Sequence, residues 1–498
     1  MKAKGGLPVR ILLVYPKNPE TFWSYQAVLR WVGRKAAFPP LGLLTVAAML
    51  PEDWDLRLVD MNVRPVTDDD LLWADHVMLS AMILHRECVH ALAARCRNLG
   101  CDLIAGGPLF TTGHEDFPDI PHLVLGEAEE LMPRLVADLA AGTLAPIYQS
   151  CGRPSLARVP PPRLDLIRMR DYVTMSVQFS RGCPFNCEFC DIIIMNGRIP
   201  RTKSPEQVVA ELEQLRQHRW QGGVFVVDDN FIGNRTRTKA LLEAIIRWRR
   251  ETRSRMVFLT EASINLADDP DLLDLMVRAG FKRVFVGLET PSSQALDECR
   301  KFQNRDRDLV EAVHVIQSAG LEVMGGFIIG FDSDKPDIFR RQFEFIQRSA
   351  VVTAMVGLLT ALPRTALYQR LMREGRIVKD STGNNTEATL NFRPLLDREF
   401  LVNGYRQLMR KLYEPKAYYA RVRALLQHQR RAGPRLRLTG RDVMAFLKSL
   451  WFLGFRNRGR FAYWRCIGGT LLCRPRRLAQ AVEFAVLGHH YRKVARSL

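Results

Sequence analysis

The chain repeats one pattern twice: a short apolar run, then a longer amphipathic stretch. Residues 10–150 place apolar runs at Ile11–Tyr15, Leu56–Asp60, His76–Ser80, Leu103–Ala105 and Leu123–Leu125, with helical periodicity between them, as in Leu41–Leu50 and Cys88–Leu99. Continuous apolar runs of this length suit strands buried on both faces, and such strands are usually parallel and joined by helical crossovers. The segment therefore predicts a doubly wound parallel sheet. A Pro-rich linker, Val159-Pro160-Pro161-Pro162-Arg163, interrupts the pattern. It resumes with runs at Val173–Phe179, Val224–Val227, Val257–Thr260, Arg283–Val286, Gly326–Ile329 and Ala354–Leu359. Six strand–helix units predict a partial barrel, two units short of a closed one. From Arg398 the pattern is helical only, with a basic helix expected over Leu401–Arg431 and a break at Gly433-Pro434.

The expected α/β architecture is a Rossmann-like domain over residues 1–155, a partial (β/α)6 TIM-type barrel over 165–400 and a helical basic domain over 401–498. Both α/β folds put ligands beyond the C-terminal ends of their strands. In the first sheet the turns there are Ser80-Ala81-Met82, Gly106-Gly107-Pro108 and Gly126-Glu127-Ala128-Glu129. Glycine lets backbone approach a bound group closely, so Ser80, Met82, Gly106, Gly107, Gly126 and Glu127 are candidate cofactor contacts. The absence of G-x-G-x-x-G argues against a dinucleotide. His76, His85 and His90 lie in the same domain, but a histidine on a strand or helix face is more often a packing or surface residue.

The formal net charge is +19, and its place matters more than its size. Residues 401–498 hold 22 Lys/Arg against three Asp/Glu, whereas residues 1–400 hold 50 of each. A neutral body thus carries a basic tail, whose partner is expected to be anionic. The tail interleaves its charges with Trp451, Phe452, Phe455, Phe461, Tyr463, Trp464, Phe484 and Tyr491. No run reaches the roughly 18–20 apolar residues of a membrane span; the longest, Val443–Phe455, includes Lys448. With no secretory leader in view, ten cysteines point to a reducing cytoplasm.

The chemistry concentrates in Cys183-Pro184-Phe185-Asn186-Cys187-Glu188-Phe189-Cys190, directly after the first barrel strand. Three thiolates at C-x3-C-x2-C on one loop can bind three irons of a [4Fe-4S] cluster and leave the fourth iron open for chemistry. Structural zinc would need a fourth ligand, and the nearest downstream histidine, His218, falls in the charged helical stretch Glu206–Trp220. Cys88, Cys96 and Cys101, spaced x7 and x4, read as buried thiols.

The cysteine spacing, with aromatic Phe189 ahead of the third cysteine, resembles the radical S-adenosylmethionine enzymes. The resemblance implies that Cys183, Cys187 and Cys190 hold the cluster and that S-adenosylmethionine chelates the open iron. Its reductive cleavage then yields a 5′-deoxyadenosyl radical able to take hydrogen from an unactivated carbon. Cofactor contacts are implied at Asp229 and Asn230, where Val227-Asp228-Asp229-Asn230 replaces the family's usual Gly-Gly-Glu. Others are implied at Phe189, at Glu261 and Glu289 on the next two strand ends, and at Gly326 and Ile328 within Gly326-Phe327-Ile328-Ile329-Gly330, beside adenine. Each of these could equally cap a helix or bond a turn.

With Phe38-Pro39-Pro40-Leu41-Gly42-Leu43 and the glycine turns of the first domain, residues 10–400 are similar to the cobalamin-binding branch of those enzymes. Cobalamin is then expected between the first sheet's C-terminal edge and the barrel mouth, its nucleotide tail between Ser80–Met82 and Gly106–Pro108. Asp60-Met61-Asn62-Val63-Arg64-Pro65 lacks the histidine and glycine of the D-x-H-x-x-G motif, so cobalt is expected without a histidine ligand.

The whole arrangement, with Asp228-Asp229-Asn230-Phe231, Leu362-Pro363-Arg364-Thr365 and the basic extension, resembles the hopanoid C-2 methylases and their relatives. This implies a cobalamin-dependent radical methyltransferase acting on an unactivated carbon, of a hopanoid or other lipid, with an electron donor as partner. It also implies a cytoplasmic enzyme, peripheral on the inner face of the membrane, with the tail meeting anionic lipid. One alternative keeps both cofactors for a non-methylating rearrangement or cyclisation. Another is RNA modification, with arginine on phosphate and aromatic stacking in the tail; no RNA-binding module is recognisable, so nucleic acid is not the expected partner. No catalytic acid or base is singled out, and radical hydrogen abstraction needs none.

Overall fold

The computed structural model describes residues 8–150, 152–429 and 440–498. Its first sheet holds β1 (Arg10–Tyr15), β2 (Asp55–Asp60), β3 (His76–Ser80), β4 (Asp102–Gly106), β5 (His122–Leu125) and β6 (Ile147–Gln149). They run parallel in the order β2-β1-β3-β4-β5-β6. Leu12, Val14, Val77, Leu79, Leu103 and Ala105 pack on one face, and Ile11, Leu13, Met78, Ile104 and Val124 on the other. Helices cover both faces, which is why these strands read as unbroken apolar runs. The strand order reverses between β1 and β3, so the crevice beyond their C-terminal ends is the ligand position of this fold. The edge strand β6 was not expected; three residues carry no readable period.

The second sheet runs β7 (Thr174–Val177), then, after a two-stranded antiparallel ribbon of β8 (Ser180–Arg181) and β9 (Arg201–Thr202), β10 (Gly223–Val226), β11 (Val257–Glu261), β12 (Phe281–Glu289), β13 (Glu322–Ile329) and β14 (Ala354–Leu358). The order β7-β10-β11-β12-β13-β14 is parallel throughout, and β7 does not pair with β14. This is the expected six-stranded, open barrel. Outward residues such as Met175, Val224, Val226, Phe258, Val284 and Val286 are fully buried under the helices. The alternate residues Phe225, Leu259, Phe285 and Met355 are only half-buried and face the lumen.

The tail departs from expectation in one respect. Arg398–Leu412 and Pro415–His428 are two helices, not one. Pro415 has no N–H to continue the first helix and suits the first turn of the second. The expected break at Gly433-Pro434 lies outside the described residues. Gly440–Ser449 leads into a π-helical turn, Leu450–Phe455, followed by Arg460–Cys473 and Leu478–Ser497. The barrel and these helices share one core. Tyr405 donates to the Val356 carbonyl at 3.1 Å and Tyr413 to that of Ala354 at 2.6 Å, both on β14. The segment between β1 and helix Leu41–Ala47 enters the same core. Phe22 stacks on Tyr491 at 4.3 Å, Trp23 meets Phe285 at 5.5 Å, and Phe38 meets Phe225 at 5.4 Å. Among the described residues no helix is long and apolar enough to cross a membrane.

Candidate active site

The ribbon β8–β9 closes the base of a loop, residues 182–200, that carries the three cysteines at the mouth of the barrel. Gly182 makes the closure possible. It has φ +102°, and a Cβ there would lie 2.9 Å from the Gly197 carbonyl oxygen and 3.0 Å from that of Ile199. The Cys183 amide donates to the Gly197 carbonyl at 3.1 Å. Asp229, at the end of β10, accepts from the Gly182 amide at 2.8 Å and from Asn196 Nδ2 at 2.9 Å. Asp228 accepts from the Phe179 amide at 2.8 Å and the Ser180 amide at 2.9 Å. The two aspartates thus hold the strand end and the loop in place.

The far side of the open barrel grips the same loop. Buried Glu188 accepts from Arg370 Nε at 2.8 Å, its carbonyl accepts from the Leu367 amide at 2.9 Å, and its own amide donates to the Cys299 carbonyl at 2.9 Å. Arg370 lies on the helix after β14, so this contact spans the gap that sheet pairing leaves. Arg370 also pairs with Asp332 at 3.0 Å.

The thiols have polar partners. Asn230 Nδ2 approaches Cys183 Sγ at 3.8 Å and Ser263 Oγ at 3.2 Å, and Gln303 Nε2 approaches Cys187 Sγ at 3.7 Å. Half-buried Lys301 bonds Glu289 at 2.6 Å and lies 5.9 Å over the Phe189 ring; its charge reaches Cys187 and Cys190. Burial pushes the Cys183 and Cys190 thiols up, while Lys301 opposes the shift. Among the described residues no three His, Cys, Asp or Glu side chains converge on the position of a single metal ion. Three thiols spread along one loop, with N–H donors and the Lys301 cation around them, fit a multi-iron cluster.

Three carboxyls cluster at the strand ends beside this loop. Burial raises the Asp228 carboxyl to about 7, and burial with the nearby Asp229 and Asp228 charges raises Glu261, at the end of β11, to about 8. Burial raises Asp229 as well. Asp228 is buried against its own amide donors, but Asp229 and Glu261 crowd at adjacent strand ends, a repulsion that a cationic ligand would relieve. Glu289 stands at the end of β12 with φ +61°, a conformation an L side chain rarely adopts, and the register of β12 shifts beside it. Gly326 on β13 is required by packing, because a Cβ there would lie 2.8 Å from the Phe285 ring. Ile328 is half-buried opposite Gly357 of β14.

At the first sheet's edge the Ser80–Met82 and Gly106–Pro108 turns lock together. The Ala81 amide donates to the Gly106 carbonyl at 3.1 Å, and Gly107, at φ +97°, leaves only 2.8 Å between a Cβ and Ser80 Oγ. Met82 is exposed, and Gly126, at φ +92°, faces open space. Glu127 forms a buried bridge to the cysteine loop's ribbon, at 2.7 Å from Arg181 and 2.6 Å from Arg201, with Glu129 at 2.6 Å from Arg181. Arg364 bonds the Thr111 carbonyl at 3.0 Å and Glu115 at 2.9 Å, joining the barrel mouth to the sheet edge. His76 begins β3, away from this edge, and pairs with Asp102 at 2.7 Å; His90 stacks on Phe117 at 4.5 Å. His85 accepts from the Met82 amide on Nδ1 at 3.1 Å and contacts Asn18 Oδ1 through Nε2 at 2.6 Å, so both ring nitrogens are occupied. Cys96 is buried, with Cys88 and Cys101 half-buried.

Lys301, Gln303, Glu188 and Arg370 escaped the sequence reading. No motif spacing ties Lys301 or Arg370 to the cysteines; only the closed chain brings them there.

Residues 177–346 match the radical SAM superfamily, and residues 365–498 match a domain of unknown function (DUF4070). The chain is 40% identical to an uncharacterized methyltransferase of Synechocystis, over 98% of this chain and 93% of the relative. It is 34% identical to the hopanoid C-2 methylase of Rhodopseudomonas palustris, over 93% and 90%. Among solved structures it is similar to the radical S-adenosylmethionine methyltransferase TsrM of Kitasatospora setae with cobalamin and [4Fe-4S] cluster bound (TM-score 0.62, 16% identity, 99% of this chain and 100% of that one). It is also similar to the cobalamin-dependent S-adenosylmethionine radical enzyme OxsB (TM-score 0.63, 14% identity, 99% and 80%).

Proposed function

Because this chain belongs to the radical S-adenosylmethionine methyltransferase family that includes hopanoid C-2 methylase, we propose that it methylates an unactivated carbon of a polycyclic lipid, a hopanoid or a close analogue, with cobalamin as methyl carrier. The observation that carries this reading is the cysteine loop held by Asp229 beside Asn230 and Glu261 at one end of an apolar lumen. When bound, the cluster and S-adenosylmethionine supply a hydrogen-abstracting radical, and the corrinoid supplies a methyl group that needs no nucleophilic carbon to accept it.

This chain's residues bind, orient and exclude water. Cys183, Cys187 and Cys190 are the cluster ligands in this reading, and Lys301 offsets their negative charge. Asp229, Asn230 and Glu261 offer acceptors for the ammonium and hydroxyl groups of S-adenosylmethionine. Phe189, Glu289, Gly326 and Ile328 are its further contacts. Ser80, Met82, Gly106, Gly107, Gly126 and Glu127 border the corrinoid site; the open space beside Gly126 leaves room for a bulky group. Glu127 also fixes how that edge meets the cysteine loop. His85 is already engaged on both nitrogens, consistent with cobalt lacking a histidine ligand. Phe38, Phe225, Leu259, Phe285 and Met355 offer half-buried apolar surface to a hydrophobic substrate. A lipid of this kind resides in a membrane, so the enzyme works in the cytoplasm at the inner membrane face, with an electron donor.

The test is anaerobic turnover with methyl-labelled S-adenosylmethionine and a hopanoid. We expect 5′-deoxyadenosine and a labelled lipid. A product formed without the label would replace methyl transfer by a rearrangement or cyclisation.

A further inference from the structure

Among the described residues, half of the exposed large hydrophobic side chains lie within residues 443–472. Leu447, Trp451 and Phe455 recur four residues apart across helix Gly440–Ser449 and the π-helical turn, and so share one face. Phe461, Trp464 and Leu472 lie along one face of Arg460–Cys473; Phe461 is 77% exposed and Leu472 84%. The two faces join: Trp464 Nε1 donates to the Gly454 carbonyl at 2.9 Å, and its ring lies 6.0 Å from Phe455. The inner sides of the same helices are packed, Leu453, Tyr463, Cys466 and Ile467 being buried in the common core. The outer face is thus held rigidly in an apolar state by helices that are anchored behind it.

Its electrostatics point to one kind of partner. Residues 443–482 contain eight Lys/Arg and no Asp or Glu. Arg456, Arg458, Arg460 and Arg465 are exposed and border the aromatic face, and none has a carboxylate partner among the described residues. A protein partner's flat apolar patch would not require this excess, and RNA would not require aliphatic Leu447 and Leu472. Aromatic and aliphatic side chains ringed by unpaired arginine match the interface of an anionic bilayer, where rings and chains enter the headgroup boundary and guanidinium groups meet phosphate.

We propose that helices Gly440–Ser449 and Arg460–Cys473, with the π-helical turn between them, form a built docking surface for anionic phospholipid bilayers. The proposal rests on the reading of a lipid substrate, and it names the surface by which the enzyme reaches that lipid.

Flotation of the full-length holoprotein, without substrate, tests it on vesicles of phosphatidylcholine alone and with phosphatidylglycerol added. We expect at least about tenfold enrichment on the anionic vesicles, weakened by salt. The triple variant Phe455→Ser, Phe461→Ser, Leu472→Ser should lose most of that binding, and so should Arg456→Glu with Arg458→Glu. Both variants should keep the wild-type melting temperature and cluster absorbance, because the changed groups face solvent. Equal recovery with neutral vesicles, wild-type binding by the triple variant, a stable dimer that masks the patch, or retention of RNA in place of vesicles would each overturn the proposal. Turnover on detergent-dispersed lipid separates the two readings. Turnover without flotation ends the docking surface alone; flotation without methyl transfer ends the substrate assignment alone.

Discussion

At the scale of single residues, the site sets charge against burial. Cys187 is the most buried of the three loop thiols, 8% exposed. Cys187→Ala should abolish both the cluster absorbance and 5′-deoxyadenosine formation, which anaerobic reconstitution and product chromatography would register. Glu261 is held up to about 8 by burial and by two neighbouring carboxylates. Glu261→Gln keeps its shape but cannot ionise when a cation binds beside it, so S-adenosylmethionine affinity measured at pH 8 or above should fall about tenfold, one charge-assisted contact being worth on the order of 1.4 kcal/mol. Calorimetric titration measures it. His85 tests pH. Burial lowers its pKa from 6.5 to about 4, so between those values the unfolded chain takes up a proton that the folded chain refuses. Stability is therefore retained above pH 6.5 and lost as pH falls toward 4, by up to about 3 kcal/mol. Denaturant titrations at pH 7 and pH 4.5 should show this loss, and His85→Gln should flatten it.

At the scale of elements, the cysteine loop is pinned by its ribbon, by Asp229 and by the Glu188–Arg370 pair. Gly182→Ala puts a methyl group against three carbonyl oxygens in a strained backbone, and should cost more than about 2 kcal/mol along with the cluster. Arg370→Leu leaves buried Glu188 unpaired and should cost about 3 kcal/mol; the loss of iron on brief air exposure, followed at the cluster's visible absorbance, should quicken. What the sequence reveals at this scale follows from range. The cysteine triplet is legible because its chemistry fits in eight residues, and the strands are legible because burial on two faces writes continuous apolar runs. The ribbon β8–β9 is not, since two-residue strands have no period. Nor is the clamp: Arg370 stands 182 positions from Glu188, and nothing local to either residue announces the pair. Glu127 belongs to both cases. Its Gly-Glu-Ala-Glu turn marks a strand end, yet its bridge to Arg181 and Arg201 appears only when the two sheets meet.

At the scale of the molecule, the charge asymmetry and the packing divide the chain differently. Charge separates residues 401–498 from the rest, whereas the hydrophobic core runs without a break from the barrel into Tyr405, Tyr413, Tyr418 and Tyr491. A chain ending before Arg398 would expose the part of β14 that Tyr405 and Tyr413 cover. It should be recovered insoluble, and the intact protein should melt the barrel and tail in one calorimetric transition.

The contact between Phe22 and the last helix has a further consequence, for biosynthesis. Tyr491 stacks on Phe22, and His490 bonds the Phe22 carbonyl at 3.0 Å, across 468 positions of sequence. The first sheet can assemble early on the ribosome, but the Phe22 segment reaches its packed place only after residues 490 and 491 have been translated. Until then Phe22 lacks its stacking partner, so a nascent chain carries an unpacked aromatic segment through most of its elongation.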